Sequence, residues 1–284
     1  VLMSDKQHHK TIVISDVHLG TSGSKVKELI RFLRHNTCDT LILNGDIIDG
    51  WQLRKSGRWK KKHTRFFRLV MKLMAHYDTE VIYLRGNHDD FLDQVLPITF
   101  GRFSLLRDYV YESKGKKFYV VHGDVFDSIT TNLRWVALLG DVGYTFLLWI
   151  NKHYNNQRIK RGLPYYSLSQ AVKAKVKSAV SYISKYEEEL SRLAKLKNFD
   201  GVICGHIHQP AIANYDGVMY LNSGDWVESL SALVEDYAGN WELKYYTDLQ
   251  KDKYLQTEDI ELKLKRAKKL KLKDHSGSAS NPPA

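Results

Sequence analysis

Five short polar sets in this chain carry the side chains of a metal site: Asp16-Val17-His18, Gly45-Asp46, Gly86-Asn87-His88-Asp89, His122-Gly123-Asp124 and Gly205-His206-Ile207-His208. Two imidazoles one residue apart, as in His206 and His208, can both face one small volume. Carboxylate, imidazole and amide oxygen suit hard or borderline divalent ions such as manganese, iron or zinc. A structural zinc site would favour cysteines and close at four ligands. Here Asp16, His18, Asp46, Asn87, His122, His206 and His208 are too many for one such ion, and they suit two ions that share a bridging carboxylate.

Each set follows an apolar run. Residues 11–15 form a β-branched strand that ends at Asp16, and a period of two puts Asp16 and His18 on one side. Ser24 is expected to cap a helix running to Arg34, with Val26, Leu29, Ile30 and Leu33 as its stripe. Residues 40–43 are a second buried strand ending at Asp46, and residues 81–84 a third ending at Asn87. Between them, a helix over 61–76 is predicted to bury Phe66, Phe67, Val70, Met71 and Met74. Residues 109–112 and 117–121 flank a hairpin turn and deliver His122, and residues 201–204 deliver His206. A strand at 218–222 precedes two closing antiparallel strands, 231–236 and 241–246. In open α/β sheets the loops at the carboxyl ends of strands form the ligand crevice, so sets distant in sequence meet in space.

Residues 126–198 break this rhythm with a mostly helical segment, read as an insertion. Its end, 168–197, spaces Leu168, Val172, Val176, Ala179, Val180, Ile183, Tyr186, Leu190 and Leu193 as an amphipathic helix. Its earlier part is rich in large apolar residues, which either pack on that helix or form a lid over the site. The expected organisation is a catalytic domain over 1–250 containing this insertion, then a charged, disordered tail over 251–284.

The formal charge is +11, of which residues 262–273 supply +7 and the remainder +4. From Gly50 to Tyr77 there is no acidic residue, while Arg54, Lys55, Arg58, Lys60, Lys61, Lys62, Arg65, Arg68 and Lys72 crowd the segment. That balance suits anionic partners: phosphates, an anionic membrane surface or nucleic acid. Cys38 and Cys204 have no ligand-like spacing, which excludes a disulfide framework or zinc ribbon and fits a reducing compartment. The longest apolar stretch, 136–150, contains Asp141 and is too short to span a bilayer. With no signal-peptide pattern at the start of the chain, a cytoplasmic location is expected, peripheral at the inner face of the membrane if the basic surfaces bind lipid.

The five sets, in this order, resemble the calcineurin-like metallophosphoesterase family. The resemblance implies an α/β fold, a β-sandwich flanked by helices (αββα), with the helical insertion as a lid. It implies one metal on Asp16, His18, Asp46 and His208, and a second on Asp46, Asn87, His122 and His206, with Mn2+ ahead of Zn2+ or Fe. Phosphoester or diphosphate cleavage by a metal-bridging hydroxide follows. His88 is expected to assist without being a ligand, its tautomer fixed by Asp89, while Asn44, Asp49 and Asp124 orient ligating histidines or water. Within the family, the chain resembles the UDP-2,3-diacylglucosamine pyrophosphatase group of lipid A biosynthesis. This implies a nucleotide-linked glycolipid substrate whose acyl chains contact Leu138, Leu139, Phe146, Leu147 and Trp149. One departure is visible. That group reads Gly-Asn-Arg-Asp-Phe-Leu where this chain has Gly86-Asn87-His88-Asp89-Asp90-Phe91-Leu92, and histidine lacks arginine's permanent charge and planar fork. A nuclease or another phosphodiesterase, and a scaffold without catalysis, are the alternatives.

Overall fold

The protein was analysed as a computed structural model that describes residues 6–55, 57–124, 161 and 168–249. The lid residues Leu138, Leu139, Phe146, Leu147 and Trp149, and the tail from 251, lie outside the described residues.

The elements follow in order as β1 (Gln7–Ile14), α1 (Val26–His35), β2 (Asn36–Asn44), α2 (Gly50–Lys55), α3 (Lys61–Tyr77), β3 (Glu80–Leu84), β4 (Ile98–Phe100) and β5 (Phe103–Leu106). Next come β6 (Tyr109–Ser113), β7 (Lys116–Val120), the long α4 (Leu168–Leu196), β8 (Gly201–Cys204), β9 (Ala211–Tyr215), β10 (Val218–Asn222), β11 (Ser231–Glu235) and β12 (Trp241–Tyr245). They form a seven-stranded sheet, β12-β11-β1-β2-β3-β5-β4, and a five-stranded sheet, β6-β7-β8-β10-β9. In the first, β1, β2, β3 and β5 run parallel, and in the second β7, β8 and β10 do.

Side-chain alternation explains the layering. Ile12, Ile14, Leu41, Leu43, Val81 and Tyr83 face α1 and α3, which return Leu29, Phe32, Leu33, Phe66, Val70 and Leu73. The residues between them in sequence, Val13, Ile42 and Ile82, point the other way and meet Phe118, Val120, Ile203 and Leu221 of the second sheet. On that sheet's far face, Tyr119, Val202, Cys204 and Tyr220 pack on Tyr186, Leu190 and Ala194 of α4. Strands buried on both faces read as unbroken apolar runs, as these do. The result is helices, sheet, sheet, helix: the αββα sandwich. Within the segment read as an insertion, α4 is therefore an outer layer of the sandwich from Tyr186 onward.

Three local expectations are corrected. Ser24 does not cap α1, because its hydroxyl donates to the Val17 carbonyl at 2.7 Å and the cap position falls on Lys25. Met71 is 65% exposed, since the buried stripe of α3 runs through Phe66, Val70 and Leu73. Strands β4, β5 and β9 appear where the sequence reading had none. Among the described residues, no helix is long and apolar enough to cross a membrane.

Candidate metal centre

The carboxyl ends of β1, β2, β3, β7 and β8 open onto one edge of the sandwich, and backbone hydrogen bonds lock the following loops together. Asp16 N–H donates to Gly45 O (3.1 Å), His18 N–H to Asp46 O (2.8 Å) and Gly205 N–H to His122 O (3.0 Å). The two sheets are joined where His206 N–H donates to Asp16 Oδ2 at 2.9 Å. A side chain at Gly45, whose φ is 79°, would overlap the His122 ring, so this close approach requires glycine.

The candidate ligands sit beyond the strands, in an unusual backbone conformation. Asp16, His18, Asp46, His206 and His208 all have left-handed φ, between 49° and 68°. Each such residue costs about 1–3 kcal/mol, and such strain gathers at functional sites. This conformation, rather than the period of a strand, aims Asp16 and His18 together, because β1 has already ended at Ile14.

Distances converge on the two aspartates. His208 Nε2 lies 3.2 Å from Asp16 Oδ1 and 3.3 Å from His18 Nε2. Asp46 Oδ2 faces His122 Nε2 at 3.4 Å, His18 Nε2 at 3.8 Å and His88 Nε2 at 3.9 Å, while its other oxygen accepts from His88 N–H at 2.8 Å. Three overlapping groups, Asp16/His18/His208, His18/Asp46/His88 and Asp16/Asp46/His122, keep their ligand atoms within 4.8 Å of one another. Asp16 Oδ1, Asn87 Oδ1 and His122 Nε2 are buried without a hydrogen-bond partner. Buried carboxylate, amide and imidazole atoms that face one another, with few hydrogen-bond partners in the surrounding protein, are the donor set of a divalent cation site, and the residues fit two such ions. His206 stands beside the groups, its ring centroid 5.1 Å from that of His122.

Electrostatics follow from this crowding. Burial pushes the Asp46 carboxyl up, but His122 and His18 overcome it and hold the group down at about 2. Burial likewise opposes a charged His122, yet Asp46 and Asp16 raise it to about 10. Asp16, fully buried, is also held low, chiefly by His208 once burial is offset.

The supporting residues divide differently from expectation. Asp89 turns away from the site, accepting from Ile47 N–H (3.0 Å) and Ile48 N–H (2.8 Å), and burial with Asp46 nearby pushes its carboxyl up. The carboxylate beside His88 is Asp49: its Oδ1 is 3.2 Å from His88 Nδ1 and its Oδ2 3.4 Å from His18 Nδ1. Asn44 acts through its backbone, its carbonyl 3.0 Å from His122 Nδ1. Asp124 is paired with Arg85 rather than with a histidine.

A calcineurin-like phosphoesterase family model matches residues 9–210. The chain belongs to the calcineurin-like phosphoesterase family. It is 22% identical over 241 residues to a UDP-2,3-diacylglucosamine hydrolase of Vibrio atlanticus (strain LGP32), covering 79% of this chain and 93% of that protein. It is 25% identical over 249 residues to the DNA polymerase II small subunit of Thermoplasma acidophilum, covering 78% of this chain and 46% of that protein. Among solved structures, an archaeal phosphodiesterase covers 82% of this chain and 98% of its own length, at 13% identity and a TM-score of 0.41.

Two further residues of this phosphoesterase escaped the sequence reading. Asp225 is fully buried, accepts backbone N–H groups from Val227 and Ser229, and places Oδ1 4.0 Å from His208 Nδ1. The signal was present, since β10 also ends in a polar set, Asn222-Ser223-Gly224-Asp225. Tyr186 of α4, read as core, donates its hydroxyl to Gly123 O at 3.1 Å and lies 6.2 Å from the His206 ring. Helical periodicity alone cannot tell such a residue from packing. The assembled site is that of a metal-dependent phosphoesterase.

Proposed function

We propose that this phosphoesterase hydrolyses the diphosphate of a nucleotide-linked glycolipid, as a UDP-2,3-diacylglucosamine pyrophosphatase of lipid A biosynthesis. The observation that carries phosphoester chemistry is the convergence of buried carboxylate and imidazole ligand atoms around Asp16 and Asp46. The match to the Vibrio hydrolase over 93% of its length supports the narrower substrate. One cation would be held by Asp16, His18, Asp46 and His208, and a second by Asp46, Asn87, His122 and His206. Mn2+ suits this oxygen and imidazole set. When bound, two divalent cations supply Lewis-acid charge to the phosphoryl oxygens and a nucleophile at neutral pH.

The chain's own residues supply the rest. Asp49 accepts from His18 Nδ1–H, which leaves the Nε2 lone pair of His18 free for a cation. The same carboxylate lies 3.2 Å from His88 Nδ1, an arrangement that turns His88 Nε2 toward the site, where it would serve a phosphoryl oxygen or the departing oxygen. His88 stands at the position where the glycolipid group has arginine. The exposed side chains Arg54, Lys55, Arg58, Lys60, Lys61, Arg65, Arg68 and Lys72 give α2, α3 and the loop between them a basic face, which favours an anionic membrane surface beside the site.

A metal-supplemented comparison of UDP-2,3-diacylglucosamine, bis-p-nitrophenyl phosphate, p-nitrophenyl phosphate and single-stranded DNA tests the proposal. The glycolipid should show the highest kcat/KM and release UMP; preference for another substrate rejects this assignment. A second reading, a nuclease, draws on the basic residues between Gly50 and Tyr77, and cleavage that rises with polymer length and falls steeply with salt would support it.

A further inference from the structure

Gly50 brings α2 unusually close to the His88 turn. Its N–H donates to His88 O at 3.0 Å, and any side chain at this position would run into the Phe91 ring. The next residue, Trp51, is thereby laid over His88, with ring centroids 4.2 Å apart and planes 34° from parallel. Its indole N–H donates to Asp90 Oδ2 at 3.3 Å. Asp90 Oδ1 in turn lies 3.6 Å from Arg54 Nη2, whose side chain is 61% exposed. Asp90, which follows Asp89 in the chain, thus lies against both Trp51 and Arg54.

Trp51 remains 42% exposed, so part of the indole is open to solvent beside the site. One face rests on His88 at the mouth of the metal centre, and the hydrogen bond to Asp90 fixes the plane of the ring. We propose that Trp51 and Arg54 form a nucleobase subsite, in which the base of a nucleotide substrate stacks on the indole and Arg54 attracts its phosphate. The subsite rests on the reading of the substrate as nucleotide-linked and identifies where the nucleotide half binds. Aromatic side chains suit this task because every base presents a π face, and Arg reinforces the stack as a planar cation.

The test uses the Mn2+-loaded enzyme turning over bis-p-nitrophenyl phosphate, with UMP, ribose 5-phosphate and inorganic phosphate as competitive inhibitors. UMP and ribose 5-phosphate differ in the base alone. In the wild type UMP should inhibit more tightly than ribose 5-phosphate by about ten-fold or more. Trp51→Ala should collapse that ratio to near one, Trp51→Phe should keep most of it, and inhibition by inorganic phosphate should change little in either. Equal inhibition by the two sugars in the wild type, which needs no variant, overturns the subsite, as does a ratio that survives in Trp51→Ala. If the base preference holds while the glycolipid is not hydrolysed, the subsite stands and the glycolipid assignment fails.

Discussion

Replacing Asp46 by asparagine separates its two tasks. Oδ1 accepts the His88 backbone N–H at 2.8 Å, whereas Oδ2 faces three imidazoles at 3.4, 3.8 and 3.9 Å. Asp46→Asn can keep its carbonyl oxygen on the His88 N–H and put an NH2 group where the proposed shared cation would bind. The fold should survive, and the site should lose its bridging charge. Asp46→Ala also leaves the His88 N–H without an acceptor in a buried site, at a further cost of about 1–3 kcal/mol in stability. Loss of several kcal/mol of transition-state stabilisation corresponds to a fall of about 10^3-fold or more in kcat/KM, each tenfold being about 1.4 kcal/mol. The assay combines metal content by mass spectrometry, thermal melting, and bis-p-nitrophenyl phosphate hydrolysis at saturating Mn2+. Expected is a metal content well below two per chain for both variants, with a lower melting temperature for Asp46→Ala than for Asp46→Asn. An Asp46→Asn enzyme that keeps two metals and turns over within ten-fold of wild type would refute the bridging role.

Two other outcomes are expected. Asp49→Asn removes the carboxylate shared by His18 and His88, so turnover should fall about 10- to 100-fold and its pH profile should shift; an unchanged profile would exclude Asp49 from positioning these rings. In the metal-free protein, the His122 pKa is raised to about 10 from a reference of 6.5. The stability this contributes is full below about 6.5 and is lost as pH rises through about 10. The metal-free melting temperature should therefore decline across that window, and Mn2+ binding at pH 8 should release protons, as calorimetry in buffers of different ionisation enthalpy can measure. Binding without proton release would contradict a protonated His122.

Much of this was legible in the chain itself. Strands β1, β2, β3 and β8 are β-branched runs buried on both faces, and such runs are distinctive without any partner. The polar set after each one marks the carboxyl end where a crevice forms, so the candidate ligand residues could be named together. Helix α4 was equally visible, its stripe running from Leu168 to Leu193 and the observed helix from Leu168 to Leu196. Edge strands were not. Ile98–Phe100 is three residues long and exposed throughout, too short for a period-two pattern to stand out, and its pairing with β5 makes it a strand.

The sequence by itself determined the core strands, their polar ends and the residue types offered there, because local periodicity and the chemistry of the strand ends are properties of short segments. The resemblance carried by the five sets implied the family and its sandwich. Tertiary structure alone decided which group serves which. Asp89 adjoins His88 in sequence yet serves the backbone of Ile47 and Ile48, while Asp49, from the loop after β2, lies against both His18 and His88. Left-handed turns at Asp16, His18, Asp46, His206 and His208 aim the candidate ligands, and glycine at position 50 lets an exposed indole rest on His88. Those relations depend on backbone direction and on contacts between loops from different strands, which a linear pattern does not carry.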